Sequence, residues 1–432
     1  MTAPRVLLFT GKGGVGKTTA AAGTATLAAN RGQKTLVLST DPAHSLADAF
    51  DHQVGKHPTQ VDVGLYVQHV DARGRLERSW GDVQRYLLSV LDAAGVDPIE
   101  AAELTVLPGA DEVLALLEVR DQVRSGSWDL VVVDCAPTGE TLRLLALPEA
   151  LGWYMDRVFP LERRLIKTLR PVLRRAAGVP MPHEAVFDAI ERMHAELAAV
   201  REVLTGPRSS VRLVLTPESV VVAEARRTLT SLSLYGYRVD AVIANRVFPA
   251  GGADAWRRGW IAAQAEQLEE IDASFAPLPV YRSPYRAAEP VGLEELAAFA
   301  AAAYGDGVRR AVDPFAEPTV DDPVRVSRES TGYVLSLALP FADRREMDLV
   351  RRGNELVLTV GDSRRLLALP AALWRCEVAG AELVAGRLSV RFGTPEDSAK
   401  SGGRRSAPSP RPAHELDRSG DVAAEARAPT RD

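Results

Sequence analysis

The spacing of hydrophobic positions changes along the chain and divides it into parts. Short apolar runs predict strands, mostly separated by stretches of helical spacing, near residues 5–10, 35–40, 65–70, 129–134, 211–216, 239–245 and 278–281. This alternation predicts an α/β fold with a doubly wound, mainly parallel sheet. After residue 323 the apolar period falls to two, which predicts a small all-β sandwich over residues 324–393.

Composition and interval length mark the boundaries between these parts. The acidic, proline-rich segment 313–323 predicts a linker after a first domain over residues 1–312. Residues 394–432 are rich in Ser, Pro, Gly, Arg and Ala, and we expect them to be disordered. Two intervals between strands, about 71–127 and 138–209, are longer than one crossover helix needs and carry apolar residues at helical spacing. They predict a helical subdomain inserted above the sheet.

The segment Gly11-Lys12-Gly13-Gly14-Val15-Gly16-Lys17-Thr18-Thr19 follows the first predicted strand and opens a helix. It has the sequence of a phosphate-binding P-loop. Its glycines let successive backbone N–H groups turn around an anion, and the helix N-terminus adds positive charge at the same place. We expect Lys17 to contact the β- and γ-phosphates of ATP and the Thr18 hydroxyl to ligate Mg²⁺.

The same residues match the dinucleotide fingerprint G-x-G-x-x-G, for which Asp41 would be the ribose acceptor. A lysine and a threonine that open the helix have a role at a triphosphate and none at a dinucleotide. The sequence therefore favours a P-loop nucleoside triphosphatase over a hydride-transfer enzyme.

Two further predicted strands end in a carboxylate, at Asp41 and at Asp134. Ligands of open α/β sheets bind beside the carboxyl ends of the strands, so we expect both side chains near the phosphates. There Asp41 can orient or deprotonate the attacking water, and Asp134 can hold a water on Mg²⁺. Each aspartate alone could be a helix N-cap. Three phosphate-site elements in this order favour a catalytic site.

Lys12 is an additional lysine inside the loop, typical of the deviant P-loop shared by the arsenite-pump ATPase, the tail-anchored-protein targeting ATPase, the partition ATPases and the nitrogenase iron protein. Segments 39–44 and 134–139 are similar to switch I and switch II of one family within this class. That family joins the arsenite-pump ATPase ArsA and the guided-entry ATPase for tail-anchored membrane proteins, and residues 4 to about 304 resemble it. Residues 324–393 resemble the α-crystallin-like domain appended to some bacterial and plastid members.

The resemblance implies roles for individual residues. Asp41 becomes the catalytic carboxylate, and Lys12 becomes a signature lysine that reaches the partner's phosphates across a homodimer; the alternative for Lys12 is a solvated loop lysine. Asn245 is implied to bind adenine, a role compatible with a strand-end turn residue. Glu218 matches a glutamate near the nucleotide at the dimer face.

The resemblance also implies a function for the whole chain. ATP binding and hydrolysis would drive a homodimer to capture and release a hydrophobic polypeptide client, such as a membrane-protein segment, and a membrane receptor is compatible with that role. The apolar cluster around Trp153, Phe159 and Met193 is the candidate client groove. The β-sandwich would either hold apolar segments or stabilise the dimer.

The chain departs from its family in ways that bear on the alternatives. Cys135 and Cys376 are its only cysteines, so one subunit has neither the ligands for a zinc site nor the three thiolates of an arsenite site. This disfavours an ATPase that energises arsenite or metalloid efflux. Glu140 stands where the family usually has a histidine, which bears on how switch II is coupled to the client.

Charge and hydropathy bear on nucleic-acid binding, secretion and membrane insertion. The net charge is −5 and no dense Lys/Arg stripe is present, which argues against nucleic-acid binding and hence against a partition-type ATPase. The first strand begins too early for a signal peptide, and no apolar run approaches the length of a membrane span. We therefore expect a cytoplasmic protein.

Overall fold

The computed structural model describes residues 3–40, 45–70, 110–135, 184–251, 254–305, 313–330 and 332–393, with isolated positions between 85 and 97. Several predictions from the sequence lie outside these ranges. They concern the catalytic Asp41, the residue Glu140, the apolar positions Trp153 and Phe159, and the tail 394–432.

A mainly parallel sheet forms the first domain. Among the described residues it has eight strands, in the order β3-β4-β2-β5-β1-β6-β7-β8. The strands are β1 Arg5–Thr10, β2 Thr35–Ser39, β3 Thr59–Asp62, β4 Leu65–His69, β5 Leu130–Asp134, β6 Ser209–Leu215, β7 Val239–Val247 and β8 Val280–Pro284. Only the edge pair β3–β4 is antiparallel within this set. The predicted doubly wound sheet is confirmed, and β3 is the strand that the hydrophobic pattern missed because two of its four residues are exposed.

Helices cover the sheet on both faces. The described helices are α1 Lys17–Asn30, α2 Ser45–Phe50, α3 Ala110–Arg124, α4 Glu184–Leu204, α5 Ser219–Leu234, α6 Ala255–Phe275 and α7 Leu293–Gly305. Burial on both faces explains why β1 and β5 are buried along their full length and read as continuous apolar runs.

Helix α1 consists mainly of small residues because it is enclosed on nearly all sides. A Cβ added at Gly23 would lie 2.8 Å from the Leu296 carbonyl oxygen of α7. Alanines fill most of the remaining buried positions of α1. The close approach fixes α1, and with it the P-loop from which α1 begins.

The described parts of the two long intervals are helical. Helix α3 belongs to the first interval and α4 to the second, and the two pack against each other. The Arg120 guanidinium on α3 also donates to the Glu196 carbonyl oxygen of α4, at 3.4 Å. The rest of the predicted helical subdomain lies outside the described residues.

The C-terminal part is an antiparallel β-sandwich, as the sequence predicts. One sheet has the order β14-β15-β10-β9 and the other β11-β12-β13 over the described positions of 324–393. Its strands are β9 Val324–Glu329, β10 Gly332–Ala338, β11 Met347–Arg352, β12 Glu355–Val360, β13 Ser363–Ala368, β14 Glu377–Val384 and β15 Arg387–Gly393. Leu337, Leu358 and Val390 lie in the core between the two sheets.

Segment 313–323, predicted as a linker, is held against the first domain. Phe315 is 5% exposed and belongs to the core of that domain. Arg5 donates from Nε to the Ala316 carbonyl oxygen at 3.1 Å, and Arg212 donates to the Pro314 carbonyl oxygen. The segment therefore connects the two domains without being a free spacer.

A buried charge cluster supports this attachment. Asp240, at the start of β7, pairs with Arg5 at 2.9 Å and with Arg212 at 3.4 Å. Both arginine side chains are almost fully buried. The single carboxylate therefore neutralises one of two buried cations, and the linker carbonyl groups accept further hydrogen bonds from both.

No helix among the described residues combines the length and the apolarity that a membrane crossing requires.

The charge cluster makes a prediction about stability. Replacement of Asp240 by asparagine leaves two buried arginines without their carboxylate, and we expect a loss of about 3–5 kcal/mol in the free energy of unfolding. Asp272→Asn is the matched control, since its pair with Arg282 is about half exposed and such pairs contribute up to about 1 kcal/mol. Thermal and denaturant unfolding followed by circular dichroism measure both. Equal, small effects of the two variants would contradict the assigned role of Asp240.

Candidate nucleotide-binding site

The P-loop is held at its two ends by close backbone contacts. A Cβ added at Gly11 would lie 2.1 Å from the Val214 carbonyl oxygen of β6. A Cβ added at Gly16, where φ is +93°, would lie 2.3 Å from Asn245 Nδ2. Both positions therefore require glycine, because a real Cβ does not approach other atoms so closely and L side chains rarely adopt this φ. Between them, an added Cβ at Gly13 or Gly14 would meet no protein atom within 4 Å.

Asn245 fastens the loop to the end of β7. Its Nδ2 donates to the Val15 carbonyl oxygen at 2.8 Å, and its Oδ1 accepts from the Arg246 backbone N–H at 2.9 Å. The side chain is 5% exposed. The family resemblance implies that Asn245 binds adenine; the structure adds a contact by which it positions the loop.

A cleft of about 400 Å³ opens beside this contact. It is lined by Gly16, Thr19, Asn245, Arg246 and Tyr285, among others. The Asn245 amide nitrogen carries two hydrogens, so its bond to Val15 leaves a second donor for a group in the cleft. The cleft is next to the start of α1, since Gly16 and Thr19 are among its lining residues.

Thr18 and Asp134 meet below the loop. Thr18 Oγ1 donates to Asp134 Oδ2 at 2.8 Å and lies 3.3 Å from the Ser45 hydroxyl of α2. Asp134, the last residue of β5, is 1% exposed, and the Ser39 hydroxyl of β2 is 3.5 Å from its Oδ2. The end of β5 therefore meets the start of α1 here, whereas Asp41, the other predicted strand-end carboxylate, lies outside the described residues. The atoms that could ligate a metal ion here are hydroxyl and carboxylate oxygens, the ligands that Mg²⁺ prefers.

The two loop lysines occupy different surroundings. Lys17 is 8% exposed, and its Nζ donates to the Lys12 carbonyl oxygen at 3.3 Å. Lys12 is 39% exposed, and its Nζ lies 3.7 Å from Glu224 Oε2 on α5. Lys17 is thus enclosed in the loop, whereas Lys12 lies at the surface and is paired with α5, the helix that follows β6.

Comparison with known proteins agrees with this geometry. The family model ArsA_ATPase, described as an anion-transporting ATPase, matches residues 4–305. A second model, described as the HSP20-like domain found in ArsA, matches residues 330–392. This chain belongs to the ArsA ATPase family. It is accordingly an ATPase with a C-terminal HSP20-like domain.

Its relatives match along most of their length. A Chlorobaculum tepidum protein named "Putative arsenical pump-driving ATPase" is 37% identical over 85% of this chain and 91% of that protein. An Aquifex aeolicus protein, whose name differs only by a final number, is 35% identical over 86% of this chain and 96% of that protein. A Streptomyces coelicolor protein, SCO2128, is 41% identical over 90% of this chain and 97% of that protein.

Glu218 and Asp41 are the two other residues assigned from the ArsA resemblance. Glu218 is the exposed N-cap residue of α5 and follows β6, the strand that contacts Gly11. Asp41 lies outside the described residues. The residue before it, Thr40, donates its backbone N–H to the Asp134 carbonyl oxygen at 2.9 Å, so the chain enters that segment at the edge where Thr18 and Asp134 meet.

Cys135, directly after Asp134, is a buried free thiol. Burial, with a smaller contribution from the Asp134 charge, raises the pKa of Cys135 to about 12. The thiolate, which is the form that binds soft metal ions, is therefore a very small fraction at neutral pH. Cys376 is buried in the other domain, against the Ala372 carbonyl oxygen.

The glycine contacts make a prediction about the loop. Gly16→Ala forces a Cβ into the Asn245 amide and strains the backbone, so we expect it to lower the melting temperature of the nucleotide-free protein by several degrees. Gly13→Ala adds its Cβ to open space and is the matched control. Scanning calorimetry without nucleotide makes the comparison. A Gly16→Ala protein as stable as Gly13→Ala would show that the Asn245 contact does not hold the loop.

Proposed function

We propose that this ArsA-family ATPase binds Mg²⁺–ATP at the P-loop, uses ATP binding to bring two subunits together, and uses hydrolysis to release a hydrophobic polypeptide client. The observation that carries the nucleotide part is the hydrogen bond between Thr18 and Asp134. It places a buried carboxylate and a hydroxyl beside the enclosed Lys17, where a metal ion and a triphosphate would meet.

Different residues of this chain would bind the phosphates, the metal ion and the base of the nucleotide. The N-terminus of α1 and the loop N–H groups surround the phosphates, and Lys17 supplies a full positive charge. Thr18 would hold Mg²⁺ directly, and Asp134 would hold it through a water. The ion would neutralise charge on the β- and γ-phosphates. Asn245 and the neighbouring cleft would take the adenine ring.

Hydrolysis is assigned to Asp41 and to Lys12 of the opposite subunit. Asp41 would position a water in line with the γ-phosphate and accept its proton. The exposed Lys12 ammonium, on a long stem, would reach the phosphates of the partner and stabilise the charge that develops during transfer. Its exposure and its weak contact with Glu224 leave it able to move.

The nature of the cargo separates two candidate functions. The relatives' names associate them with arsenical pumps, and this is the alternative for the present chain. Trivalent arsenic needs about three soft ligands brought together. The chain has two cysteines, one buried beside Asp134 with a raised pKa and one buried in the HSP20-like domain. We therefore favour an apolar client, bound with the help of the helical region that contains Met193.

The catalytic assignment predicts the behaviour of Asp41→Asn. This change keeps the shape of the side chain and removes its basicity, so we expect ATP affinity to be retained and turnover to fall at least about a hundredfold. The variant should accumulate with ATP as a dimer, which light scattering detects. Turnover within a few-fold of the unsubstituted protein would remove Asp41 from this role, and a monomer at all concentrations would contradict the dimer.

The cargo assignment predicts opposite responses to two ligands. A hydrophobic helical peptide should bind the ATP-loaded protein with a negative heat-capacity change and little dependence on salt. Arsenite should leave the ATPase activity of the unsubstituted protein unchanged. It should also leave the activity of the Cys135→Ser, Cys376→Ser double variant unchanged. Stimulation by arsenite that disappears in the double variant would instead establish metalloid binding. Absence of peptide binding would contradict the client.

A further inference from the structure

Helix α5 contacts the P-loop near its start and the β-sandwich near its end. Glu224, in its first half, is the residue paired with Lys12. Leu234, its last residue, is fully buried and belongs to the core of the β-sandwich. Leu234 follows Glu224 by ten positions, which correspond to about 15 Å of helix. One rigid element therefore touches both the signature lysine and the second domain.

Several polar contacts hold the β-sandwich to the second half of α5. Thr230 donates to the Pro340 carbonyl oxygen, and the Ser231 and Ser363 hydroxyls lie 3.4 Å apart. At the helix end Arg365, a buried residue of β13, donates to the Leu234 carbonyl oxygen. A helix leaves its last carbonyl groups without partners in the helix, so Arg365 supplies one of the missing donors from the other domain.

Phe341 makes an aromatic contact with the first domain. Its ring lies 5.9 Å from the Phe275 ring of α6, in an edge arrangement, and Arg226 of α5 lies 5.6 Å above it. Its φ is +65°, a left-handed backbone that a bulky residue rarely adopts. A cavity of about 860 Å³ lies beside these contacts, lined by both domains. The contacts that attach the sandwich thus include one on strained backbone.

We propose that the β-sandwich controls the P-loop lysine through helix α5. With the sandwich docked, α5 is held where Glu224 pairs with Lys12 and keeps that ammonium away from phosphate. When a triphosphate attracts Lys12, the pair is lost and α5 loses one of the contacts that hold it. The inference rests on the proposed function, because it takes Lys12 to act on phosphate.

The coupling works in both directions by thermodynamic necessity. If nucleotide binding loosens the sandwich, then undocking the sandwich must tighten nucleotide binding by the same factor. Its size is limited by the ion pair, whose side chains are 39% and 31% exposed. An exposed pair of this kind supplies at most about a fivefold change in affinity. A ligand that removes the sandwich from α5 would therefore favour the ATP-bound state.

A double-mutant cycle on the full-length protein tests the coupling. Calorimetric titration with a magnesium complex of a non-hydrolysable ATP analogue gives the affinities of Phe341→Ala, Glu224→Gln and the double variant. We expect each single change to tighten binding about two- to fivefold, and the double variant to match the singles because both release the same ion pair. High salt should reduce the differences, since it screens the pair. Val384→Ala, an exposed apolar position on β14, is the control that should leave affinity unchanged.

Two results would overturn the inference. One is a set of single variants with the affinity of the unsubstituted protein; the other is an additive effect in the double variant. If Phe341→Ala does not fold, hydrogen exchange of the unsubstituted protein decides instead: peptides over residues 338–342 should exchange faster with the analogue, and β14 should not change. Failure of the unsubstituted protein to bind the analogue would contradict the proposed function and this inference together, whereas binding without coupling contradicts the inference alone.

Discussion

The parallel pairing of β1 with β5 and β6 is the constraint on which the rest of the structure depends. Parallel strands bring their carboxyl ends to one edge, so the P-loop after β1, Asp134 at the end of β5 and the start of α5 after β6 meet there. Burial of these strands on both faces makes their register specific. The position of the candidate phosphate site is therefore set first by the topology of the sheet and only then by individual side chains.

Close contacts at the carboxyl ends of the strands also explain why two positions of the P-loop require glycine. Gly11 approaches β6 and Gly16 approaches Asn245 of β7, so the loop is pressed between two neighbouring strands. The amino ends of the strands make a different set of contacts. There Asp240 and two buried arginines hold the segment that leads to the second domain. The first domain thus carries the candidate nucleotide site at the carboxyl ends of its strands and holds the segment that leads to the second domain at their amino ends. Helix α5 runs between these two places.

The sequence allowed the prediction of what is encoded locally. The P-loop, the strand-end aspartates and the period-two region all depend on residues close together in the chain, and the fold and family that they predict are confirmed. Glu224 could not be predicted, because its pairing with Lys12 joins residues far apart in the chain and depends on how α5 lies against the loop. The attachment of segment 313–323 to the first domain could not be predicted from the sequence either. Its composition is that of a free linker, and its attachment comes from Arg5 and Arg212, which a strand pattern does not distinguish from ordinary exposed arginines.

The central claim is that Thr18 and Asp134 form a magnesium–nucleotide site, and the magnesium dependence of nucleotide affinity tests it most directly. Calorimetric titration of a non-hydrolysable ATP analogue, with Mg²⁺ and with a chelator, should show affinity at least about tenfold higher with the ion, since a charge-assisted contact contributes about 1.5–3 kcal/mol. Asp134→Asn should remove this gain and leave the affinity measured in chelator unchanged. An Asp134→Asn protein that keeps the full magnesium-dependent gain would contradict the account.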